Sequence, residues 1–115
     1  MKLGVCGFLV CAAIVAGMLS GMPRHVSAAV DDPVVHTVTI DGTQFQPADI
    51  TIKAGDSVVW ANHDPFPHTA TANTGAFDSK EIGPGKSWTY TAQAQGDIEY
   101  ACTFHPTMKG IIRVQ

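Results

Sequence analysis

The stretch Pro47-Ala48-Asp49-Ile50-Thr51-Ile52-Lys53-Ala54-Gly55-Asp56-Ser57-Val58-Val59-Trp60-Ala61-Asn62 reads as two strands joined by a turn. Ile50 and Ile52 alternate with Thr51 and Lys53, the period at which successive side chains leave a strand on opposite faces. Ala54-Gly55-Asp56 breaks the run, and Ser57 to Asn62 resumes it with Val and Trp. On the N-terminal side, Val34, His36, Val38 and Ile40 alternate with Val35, Thr37 and Thr39 before the turn signal Asp41-Gly42. On the C-terminal side, His68 to Ala72 reads as a strand with threonines on one face, and Gly83-Pro84-Gly85 is a hard break. Ser87 to Thr91, Asp97 to Ala101 and Gly110 to Val114 complete the set. Trp60, Trp88 and Tyr90 are assigned to the core, where strand aromatics usually pack. Asn73 to Ile82 is irregular and polar, and is expected as a connecting loop or a short helical turn. No segment sustains a helical period. Seven or eight short strands predict an all-β fold, a β-sandwich.

The first third of the 115 residues differs from the rest. Lys2 precedes an uncharged, mostly apolar run from Leu3 to Met22, closed by the small residues Ser27, Ala28 and Ala29. That order describes a secretory signal, expected to be cut after Ala28 or Ala29. The alternative is an uncleaved membrane anchor, against which the glycines of the run and Pro23 argue. Residues 1–29 are therefore read as a signal peptide and residues 30–115 as one exported domain, periplasmic or otherwise outside the cytoplasm. From residue 30 onward five Lys or Arg stand against ten Asp or Glu, a net charge of −5. This acidity disfavours nucleic acid, which rewards clustered Lys and Arg. Of the three cysteines, Cys6 and Cys11 lie in the leader and only Cys102 outlasts cleavage, which excludes a disulfide framework. A lone thiol in an oxidising compartment is buried, paired between chains, or bound to metal.

The chemistry gathers near the C-terminus, in Tyr100-Ala101-Cys102-Thr103-Phe104-His105-Pro106-Thr107-Met108-Lys109-Gly110. Thiolate, imidazole and thioether fall within seven residues between two strands. Soft sulfur ligands combined with imidazole select copper. Ligands three residues apart can curl round one ion only in a tight loop, which Pro106 stiffens and Gly110 lets the chain leave. A second imidazole has to come from elsewhere, and the candidates are His36, His63 and His68. His36 lies mid-strand and His63 in the turn Asn62-His63-Asp64-Pro65. His68, at the start of a strand after Pro67, is preferred.

Together, the Pro47–Asn62 stretch, Pro67-His68-Thr69 and the Cys-x2-His-x2-Met loop resemble the cupredoxin family, and among its members amicyanins and plastocyanins most. The resemblance implies an eight-stranded Greek-key sandwich holding one type 1 copper at one end. It implies His68 and His105 as nitrogen ligands, Cys102 as the thiolate and Met108 as the weak axial ligand. Thr69 stands where many relatives carry an Asn that joins the two ligand loops, although a hydroxyl at that position still offers a link. Asn62 matches an Asn of the family pattern and is read as structural.

The expected activity is single-electron transfer between redox proteins, not catalysis. The alternative is copper delivery or storage with the same ligands. A Cys–His nucleophile lacks an evident orienting Asn or Asp, and Met is a poor ligand for a structural zinc. Phe66, Phe104, His105 and Pro106, with Pro65 and Pro67, are expected to form an apolar rim where redox partners dock on a monomer.

Overall fold

The alternating segments fold as strands. The computed structural model describes Gly21 and residues 32–115, and the expected leader at 1–29 otherwise lies outside the described residues. Among them the strands are β1 (Val35–Asp41), β2 (Gln44–Gln46), β3 (Asp49–Ile52), β4 (Ser57–Asn62), β5 (Thr71–Ala72), β6 (Ser87–Thr91), β7 (Gly96–Ala101) and β8 (Lys109–Val114). They build two four-stranded sheets, ordered β2-β1-β4-β6 and β3-β8-β7-β5. Both sheets are mixed, with β1 parallel to β4 and β3 parallel to β8. This is an all-β sandwich of the kind the alternation predicts, and the stretch Asp31–Gln115 forms one compact unit.

The core follows from the period of two. In β4 the side chains of Val58, Trp60 and Asn62 are buried, while their neighbours are only partly so. Val38 and Ile40 of β1 share one core cluster with Ile52, Tyr100, Ile112 and Val114 of the opposite sheet. The two layers lock through aromatic edges. Trp60 and Tyr100 sit 5.4 Å apart at 81°, and Phe45 and Tyr100 4.7 Å apart at 62°. Such edge-to-face pairs set the ring hydrogens of one side chain against the π-face of the other. Burial pushes the Tyr100 hydroxyl up to about 12.

Two sequence expectations change, at His68–Ala72 and at the aromatics of β6, and the loop expected at Asn73–Ile82 is found with an added role. His68 to Ala72 contributes only the two residues of β5, and His68 itself makes an isolated bridge to Ile82. The Asn73–Ile82 segment is a loop, but it delivers Phe77 and Ile82 into the core, with Phe77 4.6 Å from Tyr90 and 5.2 Å from Trp60. Trp88 and Tyr90 are half-buried, because β6 is an edge strand whose aromatics pack on the core from the side. The short edge strand β2 has too few residues to show an alternation of its own.

At the start of β4 a carboxylate ties chain segments together. Asp56 accepts hydrogen bonds from the backbone N–H groups of Val34 (2.9 Å) and Lys53 (3.0 Å), and its Oδ2 lies 3.0 Å from Nε2 of the half-buried His36. The Val34 N–H, the His36 ring and the Lys53 N–H together lower its pKa from 3.8 to about 2. A carboxylate depressed in the folded state adds stability that is complete above the unfolded value and vanishes as pH falls through the folded one. Urea midpoints are therefore expected to fall between about pH 4 and pH 2 in the wild type. In Asp56→Asn the midpoint starts lower and that acid-dependent drop flattens. An identical pH profile in the variant would remove Asp56 from the acid response.

Candidate metal centre

Three donor side chains converge at the end of the sandwich where β4 finishes and β7 gives way to the C-terminal loop. Nδ1 of His68 and Nδ1 of His105 lie 3.7 and 3.9 Å from Sγ of Cys102. All three donor atoms fall within 4.8 Å of one another, the one such cluster among the described residues. Two donors about 2.0 and 2.3 Å from a shared metal in a trigonal plane stand roughly 3.7 Å apart. The two nitrogen–sulfur spacings therefore fit one ion that both imidazoles and the sulfur would share. His68 and Cys102 are fully buried, and His105 is at the surface edge.

The spacing of the C-terminal loop has a simple cause. The N–H of His105 bonds the carbonyl of Cys102 (3.3 Å), and the N–H of Met108 bonds the carbonyl of His105 (2.8 Å). Two successive turns, each closed by a bond to the residue three before, put residues 102, 105 and 108 at the corners of one curl. Pro106 occupies the second position of the second turn, where its fixed φ is favoured. The N–H of Cys102 bonds the carbonyl of Met108 (3.0 Å), which closes the loop on itself, and the Met108 side chain is buried.

His68 arrives from the other ligand segment, and its backbone is pinned by a reciprocal pair of bonds to Ile82 at 3.1 and 2.7 Å. The turn before it hangs on Asn62. Its side-chain NH2 donates to the carbonyls of Phe66 and Ile82 (2.9 Å each), and its Oδ1 accepts the N–H of Asp64 (2.9 Å). Asn62 is thus structural in a specific sense, since it sets the path of residues 62–66 that leads to His68. His36 sits on Asp56, and His63 is exposed; neither belongs to the cluster.

Thr69 joins the two ligand segments. Its N–H donates to Sγ of Cys102 (3.3 Å), and its hydroxyl oxygen accepts the N–H of Thr103 (2.9 Å). The same oxygen lies 3.1 Å from the hydroxyls of Thr71 and Thr103. A small hydroxyl fills the linking position because Thr103 approaches closely enough for it to reach. In Thr69→Val the shape is kept and the acceptor lost, and a stability loss of about 1 kcal/mol is expected in urea unfolding. An unchanged midpoint would mean that the hydroxyl link carries no stability.

Asp64 was not singled out by the sequence. It is buried, and its Oδ2 lies 2.7 Å from Nε2 of His68. Desolvation raises its pKa, but the N–H of Thr43, the His68 ring and the N–H of Gly42 outweigh that and hold the carboxyl below its ordinary value. An aspartate four residues before a ring is a weak sequence signal, and the other partners of its carboxylate lie more than 20 residues away.

An apolar rim surrounds His105. Phe66 and Phe104 are 42% and 51% exposed, and with Pro67 and His105 they line a shallow depression of about 350 Å³. Pro65 and Pro106 are exposed beside it. Phe66 also packs edge-on to the His68 ring at 5.3 Å and tilted to His105 at 6.3 Å.

A family model described as a cupredoxin-like domain matches residues 9–114. The chain is 30% identical to an amicyanin-alpha of Methylorubrum extorquens over 113 residues, covering 94% of this chain and 90% of that protein. It is 38% identical to a chloroplastic plastocyanin of Tetradesmus obliquus over 72 residues, covering 53% of this chain and 50% of the plastocyanin. A solved structure of a copper(I) amicyanin variant superposes with a TM-score of 0.66 at 23% identity, covering 70% of this chain and 82% of that one.

Proposed function

The chain belongs to the cupredoxin family, and from that premise we propose that it is an exported type 1 copper protein that carries single electrons between redox partners. The convergence of two ring nitrogens and one thiol sulfur in a single plane-sized cluster is the observation that supports this most directly. His68, Cys102 and His105 would hold the copper, with the buried Met108 thioether as a further, weaker ligand. The bound ion supplies one-electron chemistry between Cu(I) and Cu(II). The hydrogen bonds that fix the two ligand segments would limit how far these residues rearrange on electron transfer.

The apolar rim of Phe66, Pro67, Phe104 and Pro106 is the docking surface for donor and acceptor proteins. His105 stands at its centre as the ligand nearest to solvent. An exposed aromatic patch at a loop-rich end is where a partner binds. The N-terminal segment 1–29 serves as the export signal, and the mature domain 30–115 works as a monomer outside the cytoplasm.

Copper delivery would use the same ligands but requires labile metal. In the shuttle reading, the copper-loaded protein keeps its metal through an hours-long challenge with excess Cu(I) chelator, and NMR line broadening in mixed redox states gives rapid electron self-exchange. Rapid loss of copper to the chelator with slow self-exchange would overturn the shuttle in favour of delivery.

A further inference from the structure

We propose that Asp64 is a positioning residue for the copper site: it clamps the outer nitrogen of His68 to the β1–β2 hairpin and places a fixed negative charge behind that ligand, which lowers the copper reduction potential. The inference rests on the copper reading above and adds a residue to it.

The geometry is that of a built clamp. Gly42 and Thr43 form the two-residue connection between β1 and β2, and both have left-handed backbones, at φ of 59° and 57°. Two left-handed residues in a two-residue hairpin are the signature of a type I′ turn, for which glycine and asparagine are favoured. A β-branched threonine there is costly and persists only where its surroundings hold it. What holds it is Asp64. The N–H of Gly42 donates to Oδ1 at 2.8 Å, and the N–H of Thr43 donates to Oδ2 at 2.9 Å. The His68 ring completes the set at 2.7 Å, and the backbone of Asp64 is fixed in turn by Asn62.

Two backbone N–H donors and one ring nitrogen therefore meet two carboxylate oxygens in a buried place. An ionised carboxylate only accepts, so Nε2 of His68 must carry the proton. That leaves Nδ1 bare and directed at Cys102, the tautomer a metal requires. The hairpin turn, more than 20 residues away in sequence, thereby sets the orientation of a ligand ring. The charge acts as well: a buried anion next to the ring favours the more positive oxidation state and so opposes reduction.

Asp64→Asn tests both parts, because an amide keeps the shape but has one acceptor oxygen and turns an NH2 toward at least one of the three donors. The copper-loaded variant is expected to remain blue, with its one-electron equilibrium shifted at least tenfold toward Cu(I), about 59 mV upward in voltammetry. A role confined to folding would lower the unfolding midpoint and leave the potential in place. A blue Asp64→Asn protein with the wild-type potential overturns the proposal. A second measurement needs no variant. In the Cu(I) wild type, proton–nitrogen NMR is expected to show a slowly exchanging Nε2–H on His68. A proton lost to fast exchange overturns the proposal even if Asp64→Asn does not fold. A wild-type protein that stays colourless with copper removes the premise instead, and the proposal with it.

Discussion

Cys102→Ser is expected to abolish the intense blue charge-transfer band of the copper-loaded protein and to erase most of the thermal stabilisation that copper confers. Sγ of Cys102 is fully buried and stands between the two imidazole nitrogens. The N–H of Thr69 is aimed at it from 3.3 Å. Serine is nearly the same size and can still accept that N–H, so the metal-free fold should lose little. What disappears is the soft anion. A serine hydroxyl stays protonated near neutrality and offers a hard, weak oxygen to a metal that prefers sulfur. The stability effect comes through linkage. A ligand that binds only the folded state, at a thousand times its dissociation constant, adds about 4.1 kcal/mol. In a domain of this size each kcal/mol moves the melting temperature by ~4–8 °C. Calorimetry with and without copper should thus show a rise of roughly 15–30 °C in the wild type, and only a small part of it in Cys102→Ser. A variant that keeps the strong colour, or the full thermal increment, would show that the sulfur does not hold the metal.

The fold was legible where side chains alternate and the site where ligand types cluster. β4 is found at the residues its Val and Trp pattern marks, Ser57–Asn62, because a strand buried on one face writes its period into the sequence. The C-terminal loop was legible because residues 102, 105 and 108 lie in two adjoining turns, so that local spacing is nearly spatial spacing. Contacts set by distant backbone were not legible. Asp64 draws its meaning from N–H groups at positions 42 and 43, and nothing in its own neighbourhood announces them. The Asn73–Ile82 segment reads as a polar connector because its buried residues are Phe77, Ser79 and Ile82, and the two apolar ones, five apart, match neither a strand nor a helix. Trp88 and Tyr90 alternate correctly, but alternation gives a face and not its depth; the edge position of β6 decides that they are half-covered. Thr69 shows the converse. Its departure from the usual asparagine is plain in the sequence, yet whether a hydroxyl can bridge the loops depends on how close Thr103 comes.

Gly110→Ala carries the second large effect, and it shows how the ligand loop depends on the core. Gly110 lies opposite Tyr100 in the β7–β8 pairing, and the Tyr100 ring rests against the bare Cα. A Cβ built there falls among the Cζ, hydroxyl and Cε1 atoms of that ring, closer than real side-chain carbons come. The ring cannot easily yield, because Tyr100 is 1% exposed and wedged edge-on against both Trp60 and Phe45. Gly110 has no left-handed φ, so the objection to a side chain is one of space. Forcing even one methyl into a close-packed core costs ~1–3 kcal/mol and more where nothing can move. Gly110→Ala is expected to lie at or above the top of that range in urea unfolding, a large share of the stability of so small a domain. Since Gly110 follows Met108 by two residues, the same strain should broaden the blue absorption band before the protein unfolds. Tyr100→Leu removes the ring but opens a cavity, so alone it is destabilising as well. Combined with Gly110→Ala it should cost clearly less than the sum of the two, because the added methyl occupies space the ring has left. Strict additivity in that double-mutant cycle would place the cost of Gly110→Ala somewhere other than the Tyr100 contact.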